Sequence, residues 1–256
     1  MSIERFPWLN DAIRAHQKIT FPSSSIIEGE SGLAKKQLAK YFAQKLLCSD
    51  EFAPCGVCNS CNYFLAGSHP DYCFLDNDKC SSVLHTYSKA KKEALTSNKI
   101  EGIRALNEFI AMTNSVSEKR IAIVFDAHSM NINAQNALLK TLEELPENKH
   151  IFLISNQRKY FLPTIYSRSS LITIKNPDSQ DLDQWIADQG YIDFSSLNFA
   201  PDSTPLQIEH LINNDLAGQY IDISQNLNSY CLGEKTTPDL LKFYKEINIS
   251  FDEKIN

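Results

Sequence analysis

The stretch from Gly29 to Lys36 reads GESGLAKK and has the outline of a phosphate-binding loop of the form GxxxxGK[ST]. In that loop, glycines let backbone N–H groups curl around phosphate oxygens, and the lysine reaches the β- and γ-phosphates. Gly29 and Lys35 stand in register with the motif, and Gly32 lies between them. These three residues are the candidate phosphate-contacting positions.

Two positions of the loop depart from the working form. Ala34 replaces the second motif glycine, and Lys36 replaces the serine or threonine whose hydroxyl binds Mg²⁺. An ammonium group cannot coordinate a cation and repels one. The sequence therefore predicts the shape of a nucleotide-hydrolysing domain without hydrolysis, and it gives only weak support for ATP binding. The loop alone is equally compatible with an ordinary strand-to-helix turn that contains two glycines and a lysine.

A second catalytic element is missing further along the chain. In P-loop ATPases an Asp at the end of a buried strand binds Mg²⁺, and a Glu beside it activates water. Asp126 closes the apolar run Ile121–Phe125, but its neighbour is Ala127, which has no carboxylate. His128 could in principle serve as a base, although a capping or solvent-facing histidine is the more common situation. Two independent losses indicate a site that does not hydrolyse nucleotide.

Buried strands alternate with amphipathic helices over the first 175 residues. Strands are predicted at Ser25–Ile27, Asp71–Leu75, Ile121–Phe125, Ile151–Ser155 and Leu171–Ile174. Helices are predicted after the loop from Leu38 to Leu46, and at Ile100–Met112 and Ala134–Leu145. Uninterrupted apolar strands in this rhythm favour an α/β fold with a parallel sheet covered on both faces.

The strand–helix alternation stops beyond Lys175. Short helices are predicted around Asp181–Gln189 and Pro205–Asn213, so we expect a small helical domain there. Residues 76–98 read as a long polar loop, and residues 216–256 give no clear fold.

The composition is that of a globular protein, with 43% hydrophobic and 22% charged residues in 256. The sequence shows no signal-peptide pattern, and its longest apolar runs are too short to cross a bilayer. We therefore expect a cytoplasmic protein with no membrane partner. The net charge of −6 and the lack of a dense basic stripe argue against strong nucleic-acid binding by this chain alone.

Four cysteines are grouped between residues 48 and 61. Cys55, Cys58 and Cys61 form CxxCxxC, and Cys48 lies seven positions upstream. Four thiolates in a tight loop can close a tetrahedral shell around Zn²⁺, and a closed shell is structural because no position remains for a catalytic water. An iron–sulfur cluster is the main competitor, but the usual run has a further Cys three residues on, followed by Pro, and none follows Cys61. Free thiols are the remaining alternative.

Arg168 lies in the sequence Ser167-Arg168-Ser169, between a short predicted helix and the last predicted strand. An Arg in such a loop can pair with a surface carboxylate. It can also act as an arginine finger, which supplies charge to a nucleotide held by a neighbouring subunit. The residues by themselves favour the surface pair.

Several motifs occur in an order that is typical of one family. They are Phe6–Leu9 (FPWL), the degenerate loop, the cysteine module, His69–Asp71 (HPD), Asn136–Glu144 (NALLKTLEE) and Ser167–Ser169 (SRS). Together they closely resemble the delta-prime subunits of bacterial DNA polymerase III clamp loaders, which are AAA+ proteins. The resemblance covers roughly residues 5–215, and NALLKTLEE is its most specific part.

The resemblance implies a domain organisation. A RecA-like AAA+ domain is expected at residues 1–175, with a zinc module at about 48–65, followed by a helical lid domain at 176–215. Residues 216–256 would be an incomplete or divergent start of a helical collar domain. The four cysteines align with zinc ligands, and Arg168 aligns with an arginine finger that acts in trans, although Ser169 replaces the usual Cys.

The resemblance also implies a function. It predicts a non-hydrolysing stator of the DNA polymerase III clamp loader, with gamma/tau-type ATPase subunits and a delta subunit as partners. The sliding clamp and primed DNA would be reached through the complex during replication. Two alternatives remain open, namely an active ATPase of the gamma/tau type and a stand-alone zinc-dependent DNA-binding module.

Overall fold

Five strands form one sheet in a computed structural model that describes residues 3–16, 21–76 and 100–246. The strands are β1 (Ser24–Glu28), β2 (Tyr72–Leu75), β3 (Arg120–Val124), β4 (Lys149–Ser155) and β5 (Ser170–Thr173). Their order is β2-β3-β4-β1-β5, and every neighbouring pair is parallel. The predicted parallel sheet is confirmed, and each predicted strand end lies within two residues of the observed one.

Burial explains why these strands were visible as unbroken apolar runs. Every residue of β1, β3 and β4 is buried, so both faces of these central strands are covered. In contrast, β5 is an outermost strand of the sheet, and among its residues only Ile172 is buried. The covered central strands fit the α/β class predicted from the sequence.

Helix α1 (Asn10–Ala15) precedes β1, and the other helices of this part of the chain lie in the connections between the strands. They are α2 (Lys35–Leu47), α3 (Asn59–Leu65), α4 (Ile100–Ala111), α5 (Ile132–Glu143) and α6 (Pro163–Tyr166). The Asn131 side chain accepts the Ala134 N–H at 2.9 Å and caps the start of α5. Helices α4 and α5 pack against each other, with Ile103, Phe109 and Leu138 in the core.

The parallel arrangement gives the sheet two chemically different edges. All carboxyl ends meet at one edge, called here the carboxyl edge, and all amino ends meet at the other, called the amino edge. The loop that ends at Lys36 follows β1, Asp76 follows β2, and Asp126 comes shortly after β3, so all three belong to the carboxyl edge. Arg168 precedes β5 and belongs to the amino edge.

The chain divides into two compact units. The first contains residues up to Glu30 and from Ala34 to Ile174, and the second contains Ser31–Leu33 together with the chain from Lys175 onward. Helices of the second unit are α7 (Ser179–Asp188), α8 (Pro205–Asn213), α9 (Ala217–Cys231) and α10 (Thr237–Glu246).

The first two helices of the second unit agree with the predicted ones. Beyond residue 215, where no clear fold was predicted, the structure has α9 and α10. The division into a lid at 176–215 and the start of a collar stays a prediction. Apart from Asp76, the predicted loop at residues 76–98 lies outside the described residues. Within the described ranges, no helix is long and apolar enough to cross a membrane.

Candidate nucleotide site, metal centre and arginine finger

The loop between β1 and α2 has a left-handed residue at a position where its sequence departs from the motif. Ala34 has φ 58° and ψ 29°, the left-handed conformation that the motif glycine would adopt without strain. A residue with a Cβ atom pays about 1–2 kcal/mol for this conformation. At the start of the loop, the Gly29 N–H donates to the Ser155 carbonyl at 3.3 Å. The Ala34 substitution therefore adds strain but leaves the turn in place.

Gly32 has a structural reason to be glycine. Its φ is +85°, and a Cβ atom added there would lie 2.1 Å from the Thr204 hydroxyl oxygen. That hydroxyl donates to the Ser31 carbonyl at 2.7 Å, and the Leu206 N–H donates to the Gly32 carbonyl at 3.2 Å. These contacts lie within the second unit, so Gly32 meets the start of α8 there.

Lys35, the motif lysine, is buried and turned toward its own loop. Its Nζ donates to the Glu30 carbonyl. Burial lowers the pKa of Lys35 from 10.5 to about 8, although the charges of Asp126 and Glu30 act in the opposite direction. The phosphate-reaching ammonium is therefore already bound to a backbone oxygen.

The Lys36 ammonium group lies between two carboxylates at the carboxyl edge. Its Nζ lies 2.9 Å from Asp126 Oδ2 and 3.4 Å from Asp76 Oδ2. Burial lowers the pKa of Lys36, but the hydrogen bond and charge of Asp126, together with Asp76, outweigh it and leave the pKa above its usual value. The side chain thus stays charged and forms an ion pair with the carboxylate that would bind Mg²⁺ in an active site.

The residues after Asp126 supply no replacement for the missing glutamate. Ala127 is fully buried. The Asn156 N–H donates to His128 Nδ1 at 3.3 Å, and burial lowers the pKa of His128. His128 thus accepts a backbone N–H from the residue that follows β4, and its capping or solvent-facing role stays a prediction.

Asp76 is a member of the site that the sequence reasoning missed. It was assigned to the start of a polar loop, yet it lies directly after β2 at the carboxyl edge. The rule that carboxyl ends of parallel strands share one edge could have placed it beside Asp126.

The four cysteines of the predicted metal site come together. Their sulfur atoms all lie within 4.8 Å of one another, and Cys48 Sγ is 3.6 Å from Cys55 Sγ and 3.8 Å from Cys58 Sγ. A disulfide needs sulfurs about 2.05 Å apart, so these thiols are not bonded to each other. Zn–S bonds of about 2.3 Å place the corners of a tetrahedron about 3.8 Å apart, close to the distances from Cys48 Sγ to Cys55 Sγ and Cys58 Sγ.

Backbone N–H groups point at the sulfur atoms of this cluster. The Cys58 N–H lies 3.4 Å from Cys55 Sγ, and the Cys61 N–H lies 3.4 Å from Cys58 Sγ. The latter bond caps α3 and, as the largest effect, lowers the pKa of Cys58 to about 6. This donor favours the thiolate form that a metal requires at Cys58, whereas burial raises the pKa of Cys61 to about 12 and leaves the pKa of Cys48 above its usual value. The donor set fits one tetrahedral ion, since a multi-iron cluster would hold its sulfurs further apart on different iron atoms.

Arg168 lies at the opposite edge of the sheet from the phosphate loop. The hydroxyls of Ser24 and Ser169 are 2.7 Å apart, which places Arg168 beside the first residue of β1. The loop leaves β1 at its last residue, Glu28, four residues further on. At about 3.3 Å per residue, this separates the two ends of β1 by about 13 Å.

Three groups of its own chain hold the Arg168 side chain. Nη2 lies 2.7 Å from Glu143 Oε1, and Nη1 donates to the Thr164 carbonyl at 3.0 Å and to Ser167 Oγ at 3.2 Å. Glu143 is the last residue of α5. The surface pair favoured by the residues alone is therefore present.

Residues 8–178 match the family model described as DNA polymerase III, delta subunit. The chain belongs to this family. It is 31% identical over 164 residues to the DNA polymerase III subunit delta' of Pseudomonas aeruginosa, which covers 63% of this chain and 46% of that protein. The chain spans about half the length of the curated relatives it matches first.

Two further similarities concern other subunits. The chain is 30% identical over 165 residues to the DNA polymerase III subunit tau of Bacillus subtilis, covering 62% of this chain and 26% of tau. A solved structure of a DNA polymerase III gamma subunit-related protein from Thermotoga maritima has a TM-score of 0.47 and 18% identity. That match covers 93% of this chain and 76% of the other.

The motif His69-Pro70-Asp71 joins the cysteine module to the sheet. The Asp71 N–H donates to His69 Nδ1 at 3.0 Å, so Nε2 carries the proton and donates to Ser60 Oγ at 2.8 Å. Ser60 Oγ in turn donates to the carbonyl of Leu47, the residue before Cys48. The motif therefore has a structural role that its sequence alone did not reveal.

Asp71 also holds the only fully buried ion pair among the described residues. Arg120 Nη2 lies 2.8 Å from Asp71 Oδ1. Burial raises the pKa of Asp71, but the N–H groups of Ser117, Val116 and Ser115, together with Arg120, outweigh it and leave the pKa below its usual value.

Proposed function

We propose that this chain is a non-hydrolysing, delta-prime-type subunit of a DNA polymerase III clamp loader. The observation that carries the proposal is the contact of the Lys36 ammonium with Asp126 Oδ2 at 2.9 Å. A positive charge held at this place repels Mg²⁺ and uses the carboxylate that Mg²⁺ would need. Ala127, without a carboxylate beside Asp126, supports the same conclusion because attacking water would have no base.

Arg168 is proposed to act in trans as an arginine finger. Its position at the amino edge, about 13 Å along the strand from the start of the phosphate loop, is too far for it to serve the loop of its own subunit. Its side chain is about one third exposed, so a neighbouring subunit can reach it. A guanidinium group is suited to this role because its planar fork matches phosphate oxygens.

The cysteine cluster is proposed to hold a structural zinc ion. Four thiolates at tetrahedral separations satisfy the preferred coordination of zinc and leave no open position. When bound, the metal would be held by Cys48, Cys55, Cys58 and Cys61 and would fix the segment between α2 and β2. Iron–sulfur chemistry receives less support because the sulfurs are grouped around a single point.

The proposed role is that of a stator with gamma/tau-type ATPase subunits and a delta subunit as partners, acting in the cytoplasm. The sliding clamp and primed DNA would be bound by the assembly. A stand-alone DNA-binding zinc module receives little support, because the sequence has no Lys or Arg between Lys45 and Lys79 to contact phosphates.

Arg168→Ala tests the function in the assembled complex. We expect turnover at the one site that Arg168 serves to fall by about 10³-fold, because the charge that stabilises the transition state is lost. The steady-state ATPase rate of the reconstituted complex should fall by at least the fraction of total ATP turnover that this site contributes. Arg104→Ala, which removes an exposed Arg from α4, is the matched control.

An unchanged ATPase rate with Arg168→Ala would reject the finger. The active-ATPase alternative, to which the similarity with tau lends weight, is tested on the isolated chain. Steady ATP turnover by this chain, abolished by Lys35→Ala, would establish that alternative and reject a silent site.

A further inference from the structure

The guanidinium group of Arg168 has no free terminal fork in this structure. Nη2 is bound by Glu143 Oε1 at 2.7 Å, and Nη1 donates to both the Thr164 carbonyl and Ser167 Oγ. Bidentate binding of phosphate needs two parallel N–H groups on one face of the fork. The side chain must therefore give up acceptors of its own chain before it can bind a nucleotide.

Glu143 is the acceptor whose place is hardest to explain by local stability. It is the last residue of α5, and Glu144 follows it as the C-cap. A carboxylate at a helix C-terminus is unfavourable because the partial charge of the helix end is also negative. The position of Glu143 makes physical sense as a partner for Arg168.

The pair is also weak enough to be exchanged. The side chains of Arg168 and Glu143 are 35% and 49% exposed, so water screens their attraction. A nucleotide triphosphate carries more negative charge than one carboxylate, and two oxygens of its tetrahedral phosphate can also accept a bidentate pair of hydrogen bonds from Arg. It can therefore replace Glu143, provided that it approaches from outside the subunit.

We propose that Glu143 is a positioning residue that holds Arg168 against its own subunit until a triphosphate on a neighbouring subunit replaces it. The inference rests on the proposed function, since it presupposes that Arg168 acts in trans. Glu143 competes with the nucleotide for the guanidinium and repels the approaching phosphates. Its removal should make the finger more available.

The test is Glu143→Gln in the reconstituted clamp loader, with ATP and Mg²⁺. We expect kcat/KM for ATP to rise by about two- to fivefold, the range of an exposed ion pair. Glu144→Gln removes the same charge one residue further on, where the structure shows no ion pair with Arg168, and should leave the rate unchanged. Glu143→Asp keeps the charge and should fall between Glu143→Gln and the unmodified protein.

A double-mutant cycle separates this role from a purely structural one. In the Arg168→Ala background, Glu143→Gln should have no effect, because there is no guanidinium left to release. Thermal unfolding of each isolated variant checks that α5 is intact.

The outcomes are distinguishable. If Arg168→Ala lowers the rate but Glu143→Gln leaves it unchanged or lowers it, the role of Glu143 is overturned and the finger stands. If Arg168→Ala has no effect, the finger and the role of Glu143 are both rejected.

Discussion

Lys36 is the side chain that we propose silences the nucleotide site without dismantling it. Its ammonium lies between two carboxylates of the carboxyl edge, from Asp76 and Asp126. In the proposed silent site, this ammonium group takes the electrostatic place of a magnesium ion. The backbone around it keeps the turn, including the left-handed conformation at Ala34.

Lys36→Thr is expected to restore metal binding but not hydrolysis. The change removes a positive charge from the carboxylates and adds the hydroxyl of the working motif. Two like unit charges about 4 Å apart repel by about 4 kcal/mol at an effective dielectric constant of 20, so Mg²⁺ should bind at least about tenfold more tightly. Titration calorimetry with Mg²⁺ and a non-hydrolysable ATP analogue measures this.

Lys45→Thr is the control, because it changes the same residue type near the other end of α2. ATP turnover should stay absent in Lys36→Thr, since Ala127 still supplies no base. No gain in Mg²⁺ affinity over the unmodified chain would contradict the assigned role of Lys36.

At the scale of elements, the five strands and the helices α2, α4 and α5 were predictable because burial leaves an apolar run or a helical period in the sequence. The helices α1, α3, α9 and α10 were not predicted. Fully buried strands such as β3 and β4 appear as continuous apolar runs, and helices begin at caps such as Asn131. The carboxyl-edge cluster was partly predictable, since parallel strands bring their ends together. This signal identified Asp126 and could have identified Asp76.

Contacts that join distant positions outside any repeat could not be predicted. Glu143 ends one helix and Arg168 lies in a loop, and nothing in their spacing pairs them. The close approach of Gly32 to Thr204 is of the same kind, because the two residues are far apart in the chain. Tertiary packing alone creates these contacts.

The cysteine module gives a testable element. We expect about one zinc ion per chain, and loss of that zinc in Cys58→Ser, because Cys58 is both a proposed ligand and the cap of α3. Cys231→Ser is the matched control, since Cys231 is exposed and outside the cluster. Metal analysis by plasma emission, with amide hydrogen exchange over residues 48–65, measures both effects.

Exchange in the central strands should stay slow in Cys58→Ser while the module becomes unprotected. Iron in the purified chain, or a complete absence of metal, would overturn the zinc assignment. Free thiols would then be the better description.

At the scale of the whole molecule, the buried pair of Asp71 and Arg120 links the amino edge to the core. Arg120 is 2% exposed, and its guanidinium also lies 4.6 Å from the Phe109 ring centre. Breaking one partner of such a pair leaves a buried charge without compensation. The stability of the first unit should therefore depend strongly on this ion pair.

Asp71→Asn is expected to lower the free energy of unfolding by about 3–5 kcal/mol at pH 7. The pKa of Asp71 lies below its usual 3.8 in the folded chain, so its contribution is complete above about pH 4 and is lost as the pH falls through the folded-state pKa. The difference between the two proteins should thus be constant from about pH 5 to 8 and shrink in acid. Urea unfolding over this range measures it.

Asp11→Asn serves as the comparison, because Asp11 pairs with Arg14 at 4.0 Å on the exposed surface. That variant should change stability by less than about 0.5 kcal/mol. A similarly small effect of Asp71→Asn would show that the buried pair does not stabilise the fold.

The nucleotide loop and Arg168 lie at opposite edges of the sheet, so the two sides of this protein differ in what they can present to a neighbouring subunit. In a head-to-tail assembly, each subunit presents its nucleotide loop to one neighbour and its arginine to the other. If every subunit does both, ATP-hydrolysing sites follow one another around a closed ring. A subunit with the proposed silent loop and trans-acting arginine would support ATP hydrolysis at one neighbour's site. It would need no arginine from its other neighbour, because its own loop would not hydrolyse nucleotide. Such a subunit would interrupt the series of hydrolysing sites, so an assembly that contains it would have a defined first and last site.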